Sequence, residues 1–464
     1  MRLDFSKLDR AFKPKTLAVI GDRPNGLWFR MLGDFKGKKY SVQVNPETAQ
    51  EIEAAGIPNY KSLTEIPGPI DLVIVSTPRT AAMSVLEDCI NSDVGGAHFF
   101  TAGFSETDSE EWTEVERKLA ARAKDASLHL IGPNCMGIYS PAYGVGQNIW
   151  EYKGKTDPVA MISQSGTNCT TFCQLASIQG LDTTRAVSFG NGVVLDSPDY
   201  LEYFLQDDEI KVIAMYLEGV RDGRRFIEVL KKVTPEKPVV IWKGGRTSEG
   251  IRAINSHTGS LAISQAIWDA ALKQCGAVQV DNVEELIDTV KALLYLKPVY
   301  SNKVAIAGGS GGQSVAIADA FGAEGFELPR LTKESYDELG TFFSVIGAGY
   351  PNPIDTGGAN RQQIKRIMEI LEKDSNVDNL VLQSGARFLL FTATNQDYDI
   401  LADIKGRSDK PVMAVYPYST PDDFKRVMED MREFQKRGIP SFPSFERGAR
   451  ALRNACEYYR MKKR

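Results

Sequence analysis

His257, one of only three histidines among 464 residues, sits in a run of small and polar residues from Thr247 to Ala262, TSEGIRAINSHTGSLA. A neutral imidazole is a good nucleophile near neutrality and can carry a phosphoryl group on nitrogen. Ser256, Thr258 and Gly259 beside it offer hydroxyls, a backbone amide and little bulk. Taken alone, a His-Thr-Gly tripeptide reads first as the cap of a helix beginning near Gly259. In the same block Glu218 follows directly on a hydrophobic strand, within MYLEGVRDGRRF (Met215 to Phe226). A carboxylate there could bond one imidazole nitrogen, fix the tautomer and stabilise the charge that develops as the other nitrogen attacks phosphorus. The other reading is a solvated glutamate on a loop, and spacing alone weighs the two equally.

Two Gly/Ser-rich turns supply places for an anion. In MISQSGTNCTTF (Met161 to Phe172) a strand runs into Ser163, Gln164, Ser165, Gly166 and Thr167 and then into a helix. Free amides, hydroxyls and the positive end of the helix dipole make this an anion site, unless Ser165 or Thr167 is only an N-cap. In AIAGGSGGQSVAIADAF (Ala305 to Phe321), Gly308, Gly309, Gly311 and Gly312 let backbone approach a ligand, with Ser310, Gln313 and Ser314 around the helix start. No Lys-Ser/Thr follows the glycines, so this is not a Walker A loop able to hold ATP and magnesium by itself. A third turn, VIGDRPNGLWF (Val19 to Phe29), places Gly21 after a strand and Gly26 ahead of a helix. It lacks a full GxGxxG, which gives NAD or FAD binding little support. Asn45-Pro46 and Thr77-Pro78 follow the next strands, where a nucleotide could lie.

The elements that must position these residues alternate between short apolar strands and amphipathic helices, the pattern of parallel sheets covered on both faces. Three blocks separate. The first has strands at Thr16 to Gly21, Lys39 to Val44, Leu72 to Ser76, Ala97 to Thr101 and Leu128 to Ile131, and closes with the Pro/Gly-rich GPNCMGIYSP (Gly132 to Pro141). The second has strands at Pro158 to Ile162, Thr184 to Ser188, Val212 to Tyr216 and Val239 to Lys243, and ends in a helix around Val283 to Tyr295. The third has strands at Val304 to Ala307, Asn379 to Gln383 and Val412 to Tyr416. The domain boundaries read as 1–145, 146–298 and 299–464. In such sheets ligands bind at the carboxyl edge of the strands, where the turns above gather.

Composition narrows the function. A formal charge of -5 from 55 basic and 60 acidic residues, well mixed, leaves no polycationic face for nucleic acid. Apolar runs are strand-length and the N-terminus MRLDFSKLDRAF is no signal peptide, so no membrane attachment and a cytoplasmic location are expected. Six scattered cysteines without CxxC pairs indicate neither a disulfide framework nor a zinc site, and no dedicated metal site is expected.

Put together, SQSGT at 163–167, the stretch from Ser188 to Phe226, KGGRTSEGIRAINSHTGSLA at 243–262, GPNCMGI at 132–138, AGGSGGQSVAIADA and NPIDTGG (Asn352 to Gly358) resemble the NDP-forming acyl-CoA synthetases, relatives of succinyl-CoA synthetase. The resemblance covers almost the whole chain and is to an alpha subunit of the ADP-forming acetyl-CoA synthetase type. It implies an α/β protein with an N-terminal Rossmann-like CoA-binding domain followed by two flavodoxin-like doubly wound domains. Such enzymes interconvert acyl-CoA, ADP and phosphate with the free acid, CoA and ATP through an acyl phosphate and a phosphohistidine. Carried over, His257 is the phosphorylated residue and Glu218 its orienting carboxylate. Ser163, Gln164, Ser165, Gly166 and Thr167 open one phosphate-binding helix, and Gly311, Gly312, Gln313 and Ser314 the second. Gly21, Asn45, Pro46, Thr77, Pro78, Pro133 and Asn134 fall to CoA.

The resemblance further implies a separate ATP-grasp beta subunit in a hetero-oligomer, binding ADP or ATP, with Mg2+ held mainly by phosphates and that partner. Two departures bear on the CoA end: Asp22-Arg23-Pro24 stands where small residues are usual, and TDSEEW replaces a Gly-rich stretch after GFSE (Gly103 to Glu106). Two rival classes remain open. A nicotinamide-dependent oxidoreductase leaves the SHTG segment without a role, and a non-catalytic CoA- or acyl-CoA-binding protein derived from the family has no use for His257, Glu218 and both phosphate turns.

Overall fold

Runs such as LAVI, LVIV, VIAMYL and VVIW are each followed within a few residues by glycine, serine or proline and then by a helix, and each forms a strand buried on both faces. The computed structural model describes residues 2–22, 26–146, 156–255, 265–309, 311–345, 349–357, 359–384, 394–418 and 421–463. The chain forms two compact units, Met1–Ser177 with Asp182–Val283, and Ile178–Leu181 with Glu284–Arg464.

The first unit contains two sheets. One is built from β1 (Thr16–Ile20), β2 (Lys38–Val42), β3 (Asn59–Tyr60), β4 (Leu72–Val75), β5 (Gly96–Phe99) and β6 (Leu130–Ile131), all parallel, in the order β3-β2-β1-β4-β5-β6. That is the dinucleotide-fold order, with its switch point between β1 and β4. The second sheet contains β7 (Gly137–Tyr139), β8 (Asp157–Ser163), β9 (Thr183–Ser188), β10 (Val212–Leu217), β11 (Val239–Lys243) and β12 (Val278–Val280), in the order β12-β11-β10-β8-β9-β7. Counted from β8, this is the flavodoxin order with its switch point between β8 and β10. Only β7 is antiparallel, pairing Gly137 with Ser188 and Tyr139 with Ala186. The Pro/Gly-rich stretch that reads as a boundary therefore contributes an edge strand to the second sheet.

A shared core joins these two sheets. The helix Phe5–Phe12, capped by the Asp4 side chain, buries Leu8, Ala11 and Phe12. Phe12 stacks on Tyr203 at 4.8 Å and meets Phe204 edge-on at 5.4 Å, and Tyr203 Oη donates to Asp9 Oδ1 at 3.0 Å. Both aromatics lie on the helix Ser197–Gln206 of the second sheet. Each such buried ring contributes about 1.5–3 kcal/mol of apolar burial.

The second unit holds β13 (Val304–Ala307), β14 (Asn379–Gln383), β15 (Val412–Val415) and β16 (Ser441–Phe442), parallel and in that order. A parallel bridge from Lys303 to Glu327 continues the sheet. The helix Val283–Tyr295, which reads in sequence as the end of the second block, packs here: Asn454 Nδ2 donates to Thr289 Oγ1 at 2.9 Å, and Arg447 Nε donates to Asp288 Oδ2 at 2.6 Å. Among the described residues no helix is long and apolar enough to cross a membrane, and no group of three or more His, Cys, Asp or Glu could hold a metal ion.

The turn after β9 presses against the turn after β6. Gly190 has φ +50, and a Cβ there would lie 2.2 Å from Asn134 O and 2.4 Å from Pro133 O. Gly56, at φ +82, has open space around it. Gly56→Ala should cost only the left-handed strain, about 1–2 kcal/mol, and Gly190→Ala clearly more. Guanidinium unfolding of the two variants compares them directly; equal losses would mean that the close approach at Gly190 is relieved at no cost.

Candidate active site

The end of β8 is shaped by its own serines. Ser163 Oγ donates to Ser165 O at 2.7 Å and accepts from Ser165 N at 3.1 Å, and Ser165 Oγ accepts from Asn168 N at 3.2 Å. Ser165 thus caps the helix Gly166–Ile178. The amides of Gly166 and Thr167, in the first turn, have no acceptor within the helix. Both residues line a cavity of about 580 Å³ at the carboxyl edges of the two sheets of the first unit. The helix dipole favours an anion there by about 0.3–1 kcal/mol, more when partly buried. Gly166 must be small, since a Cβ would fall 2.7 Å from Met136 Cγ.

Across the switch point, β10 delivers Glu218 to the same cavity. At 7% exposure it is not a solvated loop glutamate. Its Oε1 accepts from Tyr216 Oη at 3.4 Å, while Oε2 is buried and has no hydrogen-bond partner among the described residues. Burial raises the Tyr216 phenol above its usual range, with the Glu218 charge adding to the effect. The Gln164 side chain faces the same corner: its Oε1 accepts from Gly219 N at 2.9 Å and from Glu218 N, while the Gln164 backbone N–H donates to Tyr216 O at 3.1 Å. Gln164 thereby ties β8 to the turn that carries Glu218.

At the switch point of the first sheet, Gly21 follows β1 with φ +73, and a Cβ there would lie 2.6 Å from Thr77 Cγ2. Thr77 and Pro78 follow β4 and line the cavity, as does Asn134, held at φ +59 with its backbone N–H donating to Thr101 O at 3.0 Å. Pro133 stands behind the cavity lining, its carbonyl accepting from Asn191 N at 3.0 Å. Asn45 and Pro46 do not join the group. Asn45 is exposed and its Oδ1 accepts from Glu47 N and Thr48 N, both at 3.0 Å, so the pair caps and opens the helix Pro46–Ala54. Asp22 is 4% exposed and accepts from Trp28 N at 3.1 Å and Phe29 N at 3.3 Å, placing a carboxylate at the start of the helix Leu27–Met31.

Sequence reading passed over Phe100, Thr101, Met136 and Asn191, which also line the cavity. Asn191 Nδ2 donates to Glu106 Oε2 at 2.8 Å and Glu116 Oε2 at 2.7 Å, joining the GFSE turn to the second sheet. Its place between two glycines, Gly190 and Gly192, is the mark it carries in the sequence.

Within the second unit, Gly308 (φ +110) and Gly309 (φ +82) lead from β13 to the helix Gly311–Ala323. A Cβ on Gly309 would lie 2.2 Å from Gln383 Oε1. Gln313, in the first turn, accepts from Gln383 Nε2 at 3.1 Å; Gly311 and Gly312 are exposed, and Ser314 follows on the same helix.

Ser256, His257, Thr258 and Gly259 lie outside the described residues, as do Arg23, Pro24 and Ser310. The helices Ser248–Asn255 and Gln265–Cys275 flank the histidine segment in the chain, and the first of them follows β11, the strand paired with β10. The other two histidines have structural surroundings. His98 is 1% exposed, burial pushes it down to about 4, and its Nε2 lies 3.0 Å from Cys135 O. His129 is 1% exposed, lowered by burial, and accepts from Asp4 N at 3.2 Å.

The first unit thus joins a dinucleotide-type sheet to a flavodoxin-type sheet, with a helix start and a buried carboxylate lining one cavity. The pattern of the CoA binding domain matches residues 15–141, and that of the succinyl-CoA ligase like flavodoxin domain matches residues 156–293. The alpha subunit of ADP-forming acetate–CoA ligase II from Pyrococcus furiosus is 35% identical over 445 residues, 94% of each chain. ADP-forming acetate–CoA ligase I from Archaeoglobus fulgidus is 34% identical over 96% of this chain, which spans 63% of that longer protein. The dinucleotide-forming acetyl-coenzyme A synthetase 1 of Ca. Korarchaeum cryptofilum, solved in complex with phosphate and ADP, is 29% identical with a TM-score of 0.84, covering 98% of this chain and 97% of that one. The chain belongs to the NDP-forming acyl-CoA synthetase family and is of the ADP-forming acetyl-CoA ligase alpha-subunit type.

Gln164→Ala would leave the amides of Glu218 and Gly219 without their acceptor, at about 1–3 kcal/mol for each buried group. Urea unfolding should show a loss of about 2–6 kcal/mol for the two groups together; an unchanged midpoint would mean that water replaces the side chain freely.

Proposed function

We propose that this chain carries the phosphoryl group of an acyl-CoA ligase on His257, interconverting acyl-CoA, ADP and phosphate with a carboxylic acid, CoA and ATP. The thiol end of CoA lies against Thr77, Pro78 and Asn134. A phosphate oxygen attacks the thioester carbonyl, the C–S bond breaks, and CoA leaves as the thiolate while an acyl phosphate forms. An imidazole nitrogen of His257 then attacks phosphorus, and the acid leaves with the bridging oxygen. The Gly166 and Thr167 amides meet the phosphoryl oxygens, and Glu218 Oε2 accepts the hydrogen bond of the other ring nitrogen. Gly311, Gly312, Gln313 and Ser314 open a second phosphate-binding helix. ADP takes the phosphoryl group from His257 on an ATP-grasp beta subunit, with Mg2+ held mainly by the nucleotide phosphates and that partner. The subunit names of the relatives support a partner, and a cytoplasmic hetero-oligomer is the expected form.

The observation that carries this reading is Glu218, which lines the cavity that also receives the helix start and whose buried Oε2 has no hydrogen-bond partner among the described residues. A carboxylate and a bound phosphate repel one another unless a hydrogen-bond donor or a cation lies between them. Imidazole supplies that donor on one side and a nucleophile on the other. A protein that only binds CoA gains nothing from this pair.

Incubated with acetyl-CoA and labelled phosphate, the chain should acquire acid-labile label at His257. His257→Asn should abolish the label, and Glu218→Gln should slow its appearance by about 10²- to 10⁴-fold. No label, even with a cognate beta subunit present, overturns the reading and leaves a CoA-binding protein.

A further inference from the structure

The carbonyl of Glu218 lies just past the last ladder bond of β10, in which Gly244 N donates to Leu217 O at 2.8 Å. Its partner is a buried cation: Lys243, 4% exposed at the end of β11, donates from Nζ to Glu218 O at 2.7 Å and also to Gly244 O. The same ammonium lies 5.6 Å from the ring centre of Trp268, on the helix Gln265–Cys275, within cation–π range. Gly244 lets the β11 turn close on the β10 corner, since a Cβ would fall 2.6 Å from Tyr216 Oη and 3.5 Å from Glu218 Cγ. Burying an ammonium is costly, and burial pulls Lys243 below the usual lysine range while the Glu218 charge opposes that shift. A neutral side chain could fill this space without that cost, so the buried charge calls for an account.

We propose that Lys243 is a positioning residue for phosphoryl transfer, fixing the Glu218 corner against the turn after β11 and the helix that follows the histidine segment. Gln164 holds the amide side of the Glu218 peptide from β8, and Lys243 holds its carbonyl side from β11. The carboxylate is thereby set from both neighbouring strands, and its direction depends on both. The inference rests on the phosphohistidine reading above, because the geometry it protects is that of Glu218 towards His257.

The test is single-turnover phosphorylation of the full chain by acetyl-CoA and labelled phosphate, in wild type, Lys243→Met, Glu218→Gln and the double variant. Lys243→Met should label about 10- to 100-fold more slowly, the cost of a small misplacement in a preorganised site, with half-saturating acetyl-CoA unchanged. The double variant should be no slower than Glu218→Gln, because Lys243 acts through that carboxylate. Should Lys243→Met fail to fold by circular dichroism, Lys243→Gln, which keeps a donor without the charge, is held to the same criteria. A wild-type rate in the lysine variant, a loss in acetyl-CoA affinity alone, or a double variant slower by the product of the two singles would each overturn the assignment. Absence of label in wild type overturns the proposed function itself; label in wild type at a rate the lysine change does not alter overturns only this inference.

Discussion

Two groups with opposite electrostatic demands share one cavity. The start of the helix Gly166–Ile178 favours a negative charge, and Glu218, 7% exposed, presents one buried oxygen without a donor among the described residues. Neither arrangement is economical by itself: a buried carboxylate oxygen left unpaired costs stability, and a carboxylate near an anion site weakens anion binding. The two become compatible once a donor that is also a nucleophile lies between them. On the proposed reading that group is His257, and the other two histidines are already committed to the fold.

The strand order explains why these groups meet. Gln164 and Glu218 follow β8 and β10, the strands flanking the switch point of the second sheet, and Gly21 and Thr77 follow β1 and β4, which flank that of the first. Helices on opposite faces leave a crevice at such a point. Asn45-Pro46 has the same local grammar of strand, polar residue and helix, yet follows β2, one strand away from the switch. There the asparagine caps its own helix and does not line the cavity. Local sequence announces a turn between strand and helix; only strand order tells which turns open onto the cavity.

The longer aliphatic runs, β1, β4, β8, β10, β11 and β13 to β15, were legible because each is largely buried and bounded by Gly, Ser or Pro. The edges β3, β12 and β16 were not, since two or three residues are too few for a periodic pattern to register. The antiparallel β7 was hidden inside a Pro/Gly-rich stretch whose composition suits a linker. Glu218, Gly166 and Thr167 could be read from their places just past strands. The partners of Glu218 could not: Gln164 and Lys243 reach its backbone only through the register of β8 and β11 on either side of β10. The polar satisfaction of a corner is a tertiary property that composition and spacing do not encode.

The most direct test of the central claim is nitrogen-15 and phosphorus-31 magnetic resonance of the full chain, labelled at histidine and phosphorylated by an acyl phosphate. Phosphorus is expected on one ring nitrogen of His257 and, on the other, a slowly exchanging proton in a strong hydrogen bond that Glu218→Gln weakens. Phosphorus on no histidine, or a His257 ring proton that exchanges with solvent equally fast with glutamate or glutamine at 218, would contradict the claim.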